Sequence, residues 1–345
     1  LVGSEMCIRD SSVSPLSFPW QTQDPFLFCV HHNDAYPAGD ARMAPNPALL
    51  AGRDIGQDFA GKDGWSMYHG DTVPGFPAHP HRGFETVTIV RNGRIDHSDS
   101  LGATARFGGG DVQWLTAGKG IVHCEMFPLL HTDAPNPTEL FQIWVNLPAR
   151  NKMAEPHFTM FWHEQIPRFT ATDTAGKTTE VVCIAGTLDG KQALPPPPDS
   201  WASAPDSDLG IYTIKLSPGA QWTLPAARSA ATQRMLYFFK GGALSVAGQP
   251  VPVQSAIAVQ ADHDCLFVNG DTESELLVLQ ARPIGEPVAQ YGPFVMNTQA
   301  EIHQAFADYR RTQFGGWPWG APDPVHPRTQ GRFAKHADGK IEERD

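Results

Sequence analysis

The sequence predicts an all-β fold, with two barrels of short strands side by side and one helix near the C-terminus. Three observations predict it. Gly (32) and Pro (31) are both frequent among the 345 residues, which favours short strands and tight turns over long helices. From about Val73 to Val145, alternating β-branched segments are separated by turn signals at regular spacing, as in a sandwich or barrel. The second half repeats that style, and a chain of this length suits roughly two domains of about 150 residues each.

Taken in order, Leu1–Asp10 (LVGSEMCIRD) back-translates in frame into a string resembling a transposase sequencing adapter. It is expected to be an assembly scar, with the true start lost. Scars stand outside fold reasoning, so Cys7 carries no role. The first barrel is expected over 15–150. Glu85–Val90 (ETVTIV) is a strand, and Asn92-Gly93 after it is a hairpin signal because both turn positions favour positive φ. Ile95–His97 is then the return strand. Turns at Ser98–Gly102, Gly108–Asp111 and Gly118–Gly120 lead on to strands at Val112–Leu115 and Ile121–Met126, and Phe141–Leu147 closes the half.

Residues 148–170 read as a connector, and the second barrel is expected over 151–284. Thr179–Ala185, Gly210–Leu216, Gln233–Phe239 and Leu276–Gln280 are strand-like. Leu194–Asp208 contains four consecutive prolines, which supply no strand amides, and is expected as an exposed insertion. A C-terminal segment over 285–320 holds the helix. There Thr298-Gln299-Ala300-Glu301 has capping-box form, Ile302, Ala305, Phe306 and Tyr309 follow at helical spacing, and Gly315 suits the stop. Residues 321–345 are polar, charged and Pro-bearing, and a loosely ordered tail is expected.

Net charge is −11, so approach to nucleic acid or an anionic membrane surface is repulsive. No apolar run is long enough to span a bilayer, and no secretory signal is evident. Five scattered cysteines suit a reduced, cytoplasmic protein without a disulfide framework.

His79-Pro80-His81 places two imidazoles at i and i+2, which share one face of a strand. His123-Cys124-Glu125 repeats the arrangement with an imidazole and a carboxylate. The intervening residues are about enough to return a strand beside its start in a small barrel. Either pair alone also fits surface or satisfied core histidines. Both together, each on a strand, favour a divalent transition metal held by His79, His81, His123 and Glu125. Such N3O ligation suits Fe(II), Mn, Ni, Co or Cu better than Ca or Mg.

Other candidates read as structural. Cys124, between two ligands, should face outward as a small hydrophobe. His157, His163 and Glu164 have no strand spacing, His31-His32 suits the surface, and Gly108–Gly110 lacks a P-loop lysine. Trp317-Pro318-Trp319 suits an aromatic plug.

HPHRGFETVTIV (79–90), HSDSLG (97–102), GDVQWLTAGKGIVHCEM (110–126), QIWVNLPARNKMAEP (142–156) and GEPVAQYGPFVMNT (285–298) closely resemble the pirin family. The resemblance implies a bicupin, two cupin-type jelly-roll barrels with one metal, usually iron, in the first. Its ligands fall on His79, His81, His123 and Glu125. Some pirins resemble quercetinases, which open a flavonol ring with dioxygen and release carbon monoxide. Others are redox-sensitive binding partners of transcription factors or metabolic enzymes. The Pro-rich insertion departs from the pattern, and the second half has no His-x-His.

Two readings stay open. One is a dioxygenase on a flavonol or other enolisable aromatic, with Glu125 as ligand and as acceptor of the substrate's hydroxyl proton. Phe76, Phe84 and Trp114 are then candidates to line an aromatic pocket, against ordinary core roles for each. The other is a metal- or redox-sensing module that binds another protein.

Overall fold

A computed structural model describes residues 8–344; Leu1–Cys7, most of the expected scar, lie outside them. The chain divides into two compact units. One holds His31–His163 and the residues from Glu286 onward. The other holds the residues up to Val30 and Glu164–Gly285. Strand β1 (Ile8–Pro15) belongs to the latter, and β2 (Phe26–Tyr36) runs through the division.

The first unit contains β3 (Gly75–His81), β4 (Phe84–Asn92), β5 (Ile95–Asp99), β6 (Thr104–Phe107), β7 (Val112–Thr116), β8 (Ile121–Met126), β9 (Asn136–Asn146) and β10 (His157–Phe161). They form two antiparallel sheets. One runs β10-β7-β4-β9-β2, and the other contains β6-β5-β8-β3. Tyr36, Trp65, Phe107, Leu115, Phe127 and Trp162 are among the side chains that fill this unit's core, each contributing on the order of 2 kcal/mol by leaving water.

Asn92-Gly93 does not close a hairpin. β4 pairs with β7 and β9, whereas β5 pairs with β6 and β8. The turn, with Gly93 at φ +79, carries the chain from one sheet to the other. Turn chemistry sets the local backbone but not which sheet receives the next strand. The expected connector holds β10, whose residues pair along β7 from His157↔Thr116 to Phe161↔Val112. His31 and His32 are not at the surface either. They sit in β2, His31 bonded to Glu139 and stacked on Phe141, and His32 buried with Nδ1 2.8 Å from the Tyr68 hydroxyl.

In the second unit, β11 (Arg168–Thr172), β12 (Thr178–Ala185), the hairpin β13 (Thr187–Leu188) and β14 (Lys191–Gln192), β15 (Gly210–Leu216), β16 (Gln221–Leu224), β17 (Gln233–Lys240), β18 (Leu244–Val246), β19 (Gln249–Val251), β20 (Ser255–Gln260), β21 (Cys265–Asn269) and β22 (Ser274–Ala281) follow. A seven-stranded sheet, β1-β20-β17-β22-β15-β12-β11, accompanies a four-stranded one, β16-β21-β18-β19. Apolar side chains such as Leu216, Leu236, Phe238, Ile257 and Phe267 fill this barrel. The Pro-rich segment is anchored rather than freely exposed: Trp201 Nε1 donates to Arg282 O at 2.8 Å, and the Arg282 amide donates to Ser207 O.

The remaining residues return to the first unit. After β23 (Ala289–Tyr291) and β24 (Phe294–Met296), helix α1 (Gln299–Thr312) opens on the reciprocal Thr298/Glu301 capping box. It ends sooner than Gly315, with Gln313 taking the left-handed C-cap position at φ 49. The expected loose tail instead contributes β25 (Phe333–Lys335) and β26 (Ile341–Glu343), which continue the β6 edge. Arg106 fastens this segment: it is fully buried, makes two 2.7 Å bonds to Asp96, and donates to the carbonyls of His326, Pro327 and Gln330. Among the described residues, no helix is long and apolar enough to cross a membrane.

Candidate metal centre

The site lies on β8 between its neighbours β5 and β3. Across β3, His79 stands opposite His123 and Phe76 opposite Glu125, with a bulge between them; His81 stands opposite Ile121. Across β5, Asp99 stands opposite His123 and His97 opposite Glu125. The i, i+2 periodicity of the pleat therefore gathers both histidine-bearing motifs on one face. Gly75 opens β3 at φ +133, and a Cβ there would lie 2.4 Å from Glu125 O. Glycine thus allows β3 to approach β8. Pro80 is tolerated because β3 is an edge strand, and Pro322 O accepts the Ala78 amide on that side.

His79, His81 and His123 offer nitrogens that all lie within 4.8 Å of one another. Their ring centres are 4.5–5.0 Å apart. Nδ1 of His79 is 2.8 Å from Pro77 O, and Nδ1 of His81 is 3.4 Å from Pro293 O. A ring that gives its Nδ1 proton to a carbonyl keeps its lone pair on Nε2, the tautomer a metal requires. Burial pushes the His79 imidazole down to about 4, and His81 and His123 well below the usual imidazole range. Neutral imidazoles are the ligating form.

The residues fit a cation. Among the described residues, both nitrogens of His123 are buried without a hydrogen-bond partner, and leaving such a group unsatisfied costs about 1–3 kcal/mol. A divalent ion held among the three rings would supply one of those partners.

Glu125 is buried on the same strand but stands outside the group of three nitrogens. Its Oε1 accepts from the Thr88 hydroxyl at 3.0 Å, and its Oε2 from Gln142 Nε2 at 3.3 Å. Burial, the largest influence, raises its carboxyl above the usual range. Thr88 and Gln142, on β4 and β9, were not legible as site residues, because their contact with Glu125 depends on packing between sheets.

The aromatic candidates separate. Trp114 and Phe84 are fully buried core. Phe76 is half-buried, 6.4 Å from the His79 ring. Trp144, which sequence reasoning passed over, is half-buried on β9, 5.4 Å from His81 and 4.4 Å from Phe84. Cys124 is buried on the opposite face with Ala44, Val73 and Met126, covered by Trp317 and Val325. Trp319 donates from Nε1 to Asp99 O, so the aromatic pair does plug this wall. Among the described residues, His163 and Glu164 join no metal-type group.

Comparison with known proteins agrees with this architecture. The family model described as Pirin matches residues 52–145, and that described as Pirin C-terminal cupin domain matches 211–315. A Pseudomonas aeruginosa protein named "Putative quercetin 2,3-dioxygenase" is 39% identical over 242 residues, 70% of this chain and 80% of its own. "Pirin-like protein 2" of Arabidopsis thaliana is 37% identical over 241 residues, 68% of this chain and 69% of its own. The crystal structure of a quercetin 2,3-dioxygenase from Acinetobacter baumannii superposes with a TM-score of 0.66 at 28% identity, covering 85% of this chain and 86% of that one.

Proposed function

This chain belongs to the pirin family, and from that premise we propose that it is a metal-dependent dioxygenase acting on a flavonol of the quercetin type or another enolisable aromatic. The observation that carries the reading is the group of three histidines, half-buried His79 with buried His81 and His123, and both nitrogens of His123 unpartnered among the described residues. The relatives named as quercetin 2,3-dioxygenases support the substrate class.

His79, His81 and His123 would hold one divalent transition ion, Fe(II) in the first instance, with Mn, Ni, Co and Cu admitted by the same donors. When bound, the ion supplies Lewis acidity and redox capacity. Glu125 accepts the proton of the substrate hydroxyl, and can add a fourth donor to the metal by carboxylate shift. Its raised carboxyl makes it a better proton acceptor, once ionised, than an exposed glutamate. Thr88 and Gln142 fix its two oxygens. Phe76 and Trp144 flank the imidazoles as apolar walls for an aromatic ring. We place the protein in the cytoplasm, a reading supported by the buried cysteines Cys29, Cys124 and Cys183, which suit a reducing compartment.

The test is an aerobic assay of purified, iron-loaded protein with quercetin, following loss of flavonol absorbance together with oxygen uptake and carbon monoxide release. Stoichiometric consumption supports the proposal. Metal-loaded protein that consumes neither a flavonol nor oxygen overturns it in favour of a metal- or redox-sensing module regulating another protein.

A further inference from the structure

Two of the three histidines have an outer hydrogen-bond partner, and the third does not. His79 and His81 each turn Nδ1 toward a backbone carbonyl, of Pro77 and Pro293. Neither nitrogen of His123 has a partner. A ligating histidine almost always gives its second N–H to an acceptor, which fixes the ring and strengthens it as a donor. If one His123 nitrogen faces a metal, the other needs such an acceptor.

A fourth histidine stands beside it with an acceptor to spare. His97, on the neighbouring strand β5, is fully buried, and its ring centre is 5.5 Å from that of His123. Its Nε2 is 3.0 Å from Asp99 Oδ2. Asp99 is itself fully buried and held by the Leu101 and Ala103 amides, both on Oδ1. A carboxylate so placed accepts a hydrogen bond from Nε2–H, which leaves the lone pair of His97 on Nδ1. That Nδ1 is buried and without a hydrogen-bond partner. Phe158 stacks on the ring at 5.3 Å and 28°, so its plane is set as well. The two rings are tilted by 51° and their unpartnered nitrogens are not bonded to each other as the rings stand; a turn of the His123 ring onto a metal would bring them edge to edge at about 3 Å.

We infer that His97 is a positioning residue of the metal centre: with a metal held by His123, its Nδ1 accepts the outer N–H of that ring, in a chain running Asp99, His97, His123, metal. It is not itself a ligand, because its nitrogens stand outside the group of three. The inference rests on the reading of His79, His81 and His123 as ligands.

The test is the dissociation constant for Co(II), measured by competition with a chromophoric chelator, for wild type, His97→Leu and His97→Asn. Loss of an outer partner weakens metal affinity by about tenfold to a hundredfold, which is the loss expected for His97→Leu. His97→Asn, whose side-chain oxygen falls near the position of Nδ1, should restore most of it. The visible Co(II) spectrum should keep its shape in all three, since the ligand set is unchanged. Equal affinity in wild type and His97→Leu overturns the inference while leaving the metal centre standing. Equal losses in both variants overturn the acceptor role, and a spectrum that loses a nitrogen donor makes His97 a ligand instead. Should His97→Leu fail to fold, His97→Phe, which keeps a ring against Phe158, takes its place. Wild type that binds no Co(II) overturns the three-histidine reading and this one with it.

Discussion

Glu125→Gln separates holding the fold from moving a proton. In the wild type, the single Thr88 hydroxyl proton faces two acceptors, Gln142 Oε1 at 2.6 Å and Glu125 Oε1 at 3.0 Å. It serves only one at a time. With an amide at 125, Nε2 donates to Thr88 Oγ1, Thr88 donates to Gln142 Oε1, and Gln142 Nε2 donates to the amide oxygen. Every polar atom that bonded before still bonds. The variant exchanges a charge-assisted bond for neutral ones of about 1 kcal/mol each, but no longer buries a carboxylate that its surroundings push toward the neutral form. The metal-free variant should therefore unfold within about 1 kcal/mol of wild type, whereas Glu125→Leu, which strands the Gln142 donor, should lose about 1–3 kcal/mol. Turnover should fall by about a hundredfold or more, because an amide accepts no proton. Urea unfolding of the metal-free proteins and flavonol turnover normalised to bound metal measure the two effects. Wild-type turnover with metal retained would show that Glu125 is not the base. A loss beyond about 3 kcal/mol in Glu125→Gln would refute the exchange of hydrogen bonds.

Three further outcomes follow from the structure. His81→Ala should lose the metal yet keep the far-ultraviolet circular dichroism of wild type, since His81 lies outside the apolar cluster that fills the barrel; global unfolding would instead make the metal a structural staple. Arg106→Ala should cost about 3–5 kcal/mol in denaturant unfolding, because it strands the buried Asp96 carboxylate; a loss below about 1 kcal/mol, the range of an exposed pair, would show that the strap carries little. Burial lowers His32 to about 3, so the unfolded chain binds a proton there below the ordinary imidazole pKa while the folded chain does not. Its contribution to stability is thus present at neutral pH and lost as pH falls from about 6.5 toward 3, by up to about 1.4 kcal/mol per pH unit. His32→Phe should flatten the fall of stability between pH 6 and 4 by that amount, and an unchanged slope would contradict the burial.

The three imidazoles were legible because two-residue spacing on a strand is a one-dimensional signal, and the helix because its capping box is local. What escaped was non-local. Asn92-Gly93 marks a turn, but the sheet that receives β5 is decided by packing. Glu125 was legible as a candidate ligand, whereas its grip by Thr88 and Gln142 requires β4 and β9 to lie beneath β8. The polar C-terminal residues conceal an anchored strap because Arg106, which binds it, is more than two hundred residues away in sequence. His97 carried a weak signal, a His-x-Asp pair at strand spacing, which a turn-like context obscured. His31-His32 looked like surface because adjacent histidines in isolation do; alternation along β2 instead gives them separate partners, Glu139 and Tyr68.

The most direct test of the central claim is the metal content of the purified protein. Elemental analysis after expression in metal-supplemented medium should find close to one divalent transition ion per chain in wild type and almost none in His81→Ala. Two ions per chain, no bound metal in wild type, or full occupancy in His81→Ala would contradict a single centre built on His79, His81 and His123.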